Sequence, residues 1–229
     1  MRPSVWVCVL ALLASMCLHA LVADADEPDW RMVYARVARA TLPIQSRDVT
    51  RGQWYASCTA VAVGTEWWTE AHCIDASGTH AQYINGRELV VAGIWQDIAM
   101  LAQVHDPDWL EPLEVADKVW PGQAVAVVGY GWGARHPTFA TGYVAARDDT
   151  ALDRWFSRRS SLIYFSMQAW QGTSGGPVVD AHGRLVTLAR KTLAPYGPFS
   201  HGSAGVTPQI MQLAVSSPIV RQLFFGPAQ

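Results

Sequence analysis

Gly172-Thr173-Ser174-Gly175-Gly176-Pro177 sets a serine among glycines and runs straight into an apolar stretch, Pro177-Val178-Val179. An acyl-transfer nucleophile needs its hydroxyl exposed on a tight turn, with backbone N–H groups aimed at the oxyanion that develops during attack. Glycine on both sides permits the unusual backbone angles of such a turn and a close approach of substrate. Ser174 is therefore a candidate nucleophile, and the N–H groups of Gly172 and Ser174 are candidate oxyanion donors. Taken alone, the same turn is equally compatible with an ordinary loop.

Working outward, the chain is a succession of short apolar runs bounded by turn residues. Cys58–Val63 ends at Gly64, and Leu89–Ala92 follows an Asn85-Gly86 turn signal. Ile98–Ala102 and Ala124–Val128 come next, then Pro177–Val179 and Leu185–Leu188 around a turn at His182-Gly183. This spacing predicts an all-β chain. Composition agrees, since only 16% of the 229 residues are charged while Gly and Pro number 18 and 13. Such a balance suits strands and turns better than a helical bundle. Asp106–Gly122, with its prolines and mixed charge, reads as a connector between two halves. Ser217-Pro218 predicts a short helix over Ile219–Phe224, with Ser as cap and Pro first inside. A net charge of -2 supplies no electrostatic footprint for nucleic acid.

The N-terminus is a separate segment. Arg2 precedes an apolar run from Val5 to Val22, and Ala23-Asp24-Ala25 places small residues where a signal peptidase reads them. Residues 1–25 are expected to be a cleaved signal and Asp26–Gln229 the exported chain, secreted or periplasmic. An uncleaved membrane anchor is the alternative. Of the four cysteines, Cys8 and Cys17 fall in the signal, leaving Cys58 and Cys73. In an oxidising compartment that pair reads as a disulfide, against the alternative of two buried thiols. It would stabilise the fold by about 3 kcal/mol in the loop-entropy picture.

A serine hydroxyl is a weak nucleophile and needs an imidazole to take its proton. Thr69-Glu70-Ala71-His72-Cys73 puts a histidine beside one member of the cysteine pair, making His72 the candidate base. A carboxylate must then orient the imidazole. Asp97, immediately before Ile98–Leu101, is favoured, because a charge at the mouth of a buried strand needs a partner. Asp75, Asp106 and Asp108 compete but read more simply as solvated loop residues.

His in Thr-x-Ala-His-Cys, Asp in Asp-Ile-Ala-Met-Leu and Ser in Gly-x-Ser-Gly-Gly-Pro stand in the order found in the chymotrypsin family, which this chain resembles from about Cys58 to Pro208. Trp120–Tyr130, Thr141–Val144 and Asp180–Val186 are similar to segments of the bacterial HtrA-like, trypsin-like branch. No PDZ module is expected. The resemblance implies two antiparallel six-stranded β-barrels, at about residues 45–110 and 118–210, with the active site in the cleft between them. It implies a catalytic triad of His72, Asp97 and Ser174, an oxyanion hole from Gly172 and Ser174, and a secreted serine endopeptidase acting on protein or peptide through an acyl-enzyme. The alternative is an inactive or latent binding or regulatory protein on the same fold.

One position departs from the digestive members of that family. They carry Asp where Thr173 stands, to pair with a new N-terminus after activation, and Thr173 cannot form that ion pair. No activation switch of that type is expected, and Asp26–Gln53 is expected to pack along the barrels. Counting from the nucleophile places Gln168 at the base of the specificity pocket, Arg190 near the substrate-pairing strand and Gly205 in the far pocket wall. No cleavage preference follows from these. His80, His105, His136, His182 and His201 lack metal-ligand spacing, so neither a metal nor a cofactor is expected. No stable membrane span is expected after signal cleavage. Of the eleven tryptophans, Trp67-Trp68 and Trp170 flank the candidate site, where they either line a cleft or pack in the core.

Overall fold

Asp29 caps the first element of the described chain, its side chain accepting from the N–H groups of Arg31 (3.1 Å) and Met32 (3.3 Å). The structure, a computed structural model, describes residues 28–48, 50–75, 80–95, 98–102, 104, 107–148, 152–153, 158–159, 162–193 and 210–214. Helix α1 (Trp30–Arg39) buries Val33 and Val37, one turn apart on a single face, and carries Arg36 and Arg39 in its last turn, where they complement the helix dipole. Trp30 and Tyr34 pack against Phe139 with ring centroids 6.1 and 5.5 Å away. The expectation that residues 26–53 pack along the barrels contained no helix, although the cap and the Val33/Val37 spacing signal one.

The first sheet is built from β1 (Thr41–Asp48), β2 (Trp54–Val63), β3 (Glu66–Glu70), β4 (His80–Ile84), β5 (Arg87–Glu88), β6 (Val90–Trp95) and β7 (Ile98–Ala102). Its seven strands run in the order β5-β4-β1-β2-β3-β7-β6, each antiparallel to its neighbours. Asn85 (φ 47°) and Gly86 (φ 75°) form the two-residue turn that returns β4 into β5. Trp67 and Trp68, paired with Leu101 and Met100 of β7, are both buried, so this tandem belongs to the core.

The second sheet comprises β8 (Ala124–Gly129), β9 (Thr138–Asp148), β12 (Leu162–Ser166), β13 (Pro177–Asp180), β14 (Leu185–Leu188), β15 (Lys191–Leu193) and β16 (Ile210–Ala214), in the order β14-β13-β8-β9-β12-β16-β15. A separate two-stranded ribbon, β10 (Leu152–Asp153) with β11 (Arg158–Arg159), stands beside it in sequence. Every sequence-predicted strand lies within or overlaps one of these elements.

The expectation of two closed six-stranded barrels is corrected. Each large sheet has seven strands, and among the described residues no ladder joins β5 to β6 or β14 to β15. Closure requires the first and last strands to pair with matched stagger. The outer strand β5 has only two residues, both exposed and charged, and β6 at the other edge is bent by a bulge between Val91 and Gly93 in its ladder with β7. Among the described residues the domain is therefore all-β, with open sheets and a single α-helix, Trp30–Arg39, ahead of them. The helix expected over Ile219–Phe224 lies outside the described residues, as does the signal segment. No helix among the described residues is long and apolar enough to cross a membrane.

The main core cluster joins the two sheets. Val33 and Val37 of α1 lie in it with Val61, Val63, Trp68 and Ile98 from the first sheet and Ala126, Val128, Val179, Leu185 and Leu188 from the second. The connector stitches the same seam from outside. Leu113 N–H donates to Ala62 C=O (2.9 Å), Ala116 N–H to Leu185 C=O and Leu185 N–H to Glu114 C=O (both 2.7 Å).

Candidate active site

Cys58 on β2 and Cys73 at the end of the short 3-10 turn Ala71–Cys73 form a disulfide, with Cα atoms 5.9 Å apart. His72 stands exposed on that turn, one residue before Cys73. The turn leaves the end of β3, where Glu70 pairs with Ile98, the first residue of β7. Asp97 precedes Ile98 in the chain and lies outside the described residues.

Ser174 reaches the same place from the second sheet. Its carbonyl accepts from the N–H of Thr59, the residue after Cys58, at 2.8 Å, and lies 3.7 Å from Cys73 Sγ. The nucleophile turn is thus hydrogen-bonded across the seam to the residue after Cys58 and lies in contact with Cys73, the other half of the disulfide that holds the His72 turn. Ser174 is half-buried, and its Oγ donates to the Arg190 carbonyl at 3.2 Å.

The glycines of the turn are there for space as well as for dihedral freedom. At Gly175 (φ 79°) a Cβ would run into Thr59 O and Thr69 Oγ1, and at Gly172 (φ 97°) it would stand 2.5 Å from Tyr130 O. Gly172 C=O accepts from Thr59 Oγ1 at 2.9 Å, and the same hydroxyl oxygen accepts from Tyr130 N–H at 2.9 Å. Burial pushes the Tyr130 phenol up to about 12, with the nearby Tyr34 adding to the shift. Thr173, buried, has a local neutral partner: its Oγ1 accepts from Trp170 N–H at 3.3 Å, and its own N–H donates back to Trp170 C=O at 3.0 Å.

Gln168 is exposed between buried Met167 and Ala169, and Arg190 enters the site through its carbonyl. Gly205 lies outside the described residues. Asp75 differs from its reading as a solvated loop residue, because its carboxylate accepts from His80 N–H at 2.7 Å and lies 3.0 Å from His80 Nδ1. Sequence reasoning passed over Thr59, Tyr130 and the fully buried Glu70, two residues before His72. Adjacency to Cys58 was the available signal for Thr59; Tyr130 carries none, because only the folded seam brings it to the turn.

The architecture is similar to that of several solved proteases. The inactive form of the Rv3671c protease of M. tuberculosis superposes with a TM-score of 0.60 at 20% identity, covering 86% of this chain and 93% of that one. A serine endoprotease from Yersinia pestis gives 0.61 at 17% identity over 86% of this chain and 66% of its own. The HtrA-type protease AlgW with a decapeptide gives 0.61 at 16% identity, covering 85% and 67%. At such identities the likeness speaks for the fold alone. Among curated proteins none matches the sequence. The family model of the trypsin-like peptidase domain matches residues 56–188, more than half of the chain and the span holding both sides of the seam, and the chain belongs to that family.

Proposed function

We propose that the chain is an exported serine endopeptidase acting on protein or peptide, with Ser174 as nucleophile, His72 as general base and Asp97 orienting His72. The observation that carries this reading is the hydrogen bond from Thr59 N–H to the Ser174 carbonyl at 2.8 Å, beside the disulfide from Cys58 to Cys73, which sets the candidate nucleophile next to the turn bearing the candidate base. Ser174 Oγ forms the bond to the scissile carbonyl carbon as its proton passes to His72. The oxyanion is stabilised by the N–H groups of Gly172 and Ser174. The carbon–nitrogen bond then breaks, His72 returns the proton to the leaving amine, and water releases the acyl group by the same path in reverse. Export is supported by residues 1–25 and by the disulfide, a bond that persists in oxidising compartments.

A second reading, a latent protease-fold protein, has one observation in its favour. The Ser174 hydroxyl donates to the Arg190 carbonyl, a bond that must be given up before attack. Labelling of oxidised Asp26–Gln229 with a fluorophosphonate decides between the two. The endopeptidase reading expects labelling that disappears in Ser174→Ala, together with a loss of peptidase turnover on the order of 10^6-fold. A folded parent protein that takes no label would put the latent reading first.

A further inference from the structure

Among the described residues only Asn85 and Trp132 have positive φ without being glycine. Asn85 occupies a hairpin turn that calls for it. Trp132, at φ 54° and ψ 29°, does not: it sits in the short turn Gly131–Gly133 between two glycines, either of which would adopt that conformation without steric cost. A bulky side chain held in the left-handed region is an outlier that needs a reason.

What the strained backbone accomplishes is visible in its hydrogen bond. Trp132 N–H donates to Gln171 C=O at 2.6 Å. The peptide joining Gln171 to Gly172 is trans, so its N–H points opposite to that carbonyl, away from Trp132. Gly172, at φ 97°, has the freedom to let this peptide rotate, and rotation would present a carbonyl oxygen where a donor is needed. The next peptide is held separately, by Thr59 Oγ1 donating to Gly172 C=O. The Trp132 ring, 75% exposed, leans on Trp170 with centroids 5.5 Å apart, and Trp170 is bonded at both N–H and C=O to Thr173 of the nucleophile turn. The ring therefore has a foothold on the turn whose peptide the backbone holds.

We infer that Trp132 is a positioning residue, its left-handed backbone locking the Gln171–Gly172 peptide so that the Gly172 N–H remains available to the oxyanion. This rests on the proposed role of Gly172 as an oxyanion donor. The role assigned to Trp132 is exerted through Gln171, not on the reacting atoms.

The test separates backbone conformation from ring contact. Trp132→Gly, Trp132→Asn and Trp132→Ala all remove the ring, but their tolerance of positive φ falls in that order. Each is compared with the parent protein by the concentration dependence of fluorophosphonate labelling, which separates the limiting rate of serine modification from probe affinity. The limiting rate is expected to fall at least about tenfold in Trp132→Ala, a fraction of the loss that follows removal of an oxyanion donor. Trp132→Gly is expected to stay within about threefold of the parent and Trp132→Asn to fall between, with probe affinity unchanged throughout. Equal losses in all three, or a loss confined to affinity, overturn the lock and make the ring a contact surface. If Trp132→Ala does not fold, Gly against Asn carries the same comparison. A parent protein that shows no Ser174-dependent labelling overturns the underlying oxyanion reading together with the lock, and is recognisable as such before any variant is made.

Discussion

Gly175 and Gly64 share the left-handed region, at φ 79° and 60°, yet they answer to different constraints. A Cβ on Gly64 would meet nothing within 4 Å, whereas on Gly175 it would collide with Thr59 O and Thr69 Oγ1. Gly64→Ala should therefore cost only the left-handed penalty of about 1–2 kcal/mol. Gly175→Ala adds overpacking against two strands and should cost about 2–5 kcal/mol, read as a larger drop in denaturant midpoint. Tyr130 makes a second prediction at this scale. Its folded pKa, about 12, lies above the unfolded value near 10, so the neutral phenol is the form the fold retains. The stability this contributes is complete below about pH 10 and is lost as pH rises toward 12. Unfolding free energies measured from pH 9 to 12 should show that decline, and Tyr130→Phe should reduce it.

At the scale of elements, the disulfide does more than close a loop. Cys58 belongs to β2 and Cys73 ends the turn that carries His72, and Thr59, next to Cys58, binds the Ser174 carbonyl. Replacing both cysteines by alanine should lower stability by about 3 kcal/mol in denaturant titration. It should also slow labelling of Ser174 in the fraction that remains folded. Loss of stability with an unchanged labelling rate would mean that the β2–Ser174 hydrogen bond holds the nucleophile without the disulfide. Helix α1 works differently. Its exposed Arg39–Glu111 ion pair at 2.8 Å contributes little, and its attachment comes from Val33 and Val37 in the core and Tyr34 hydroxyl donating to Pro137 C=O at 3.0 Å.

For the whole molecule, the shared core governs cooperativity. Because Val37 lies in a cluster drawn from both sheets, neither sheet has that hydrophobic core to itself. Val37→Ala should cost about 2–3 kcal/mol from lost burial and the cavity left behind. Thermal unfolding followed by tryptophan fluorescence and by far-UV circular dichroism should shift together in one transition. Separate transitions would show that the sheets unfold independently despite the shared seam.

The division between what could be read and what could not follows the range of the forces involved. Turn chemistry, apolar runs and motif residues are local, so the sequence by itself determined the all-β class, the Asn85-Gly86 hairpin, strands such as Ile98–Ala102, the cysteine pair and the candidates His72 and Ser174. Helix α1 was written locally as well, in Asp29 and the Val33/Val37 spacing, but a single helix ahead of a strand-rich chain is easily overlooked. Openness of the sheets was not legible, because it depends on whether distant edge strands such as β5 and β6 meet, a matter of sheet twist and of a bulge at Val91/Gly93. Nor was the support of the nucleophile turn legible. Thr59 bonds Gly172, Ser174 and Tyr130 across the seam between sheets, Trp132 bonds Gln171 between segments distant in the chain, and only the packed tertiary structure brings those donors and acceptors within reach.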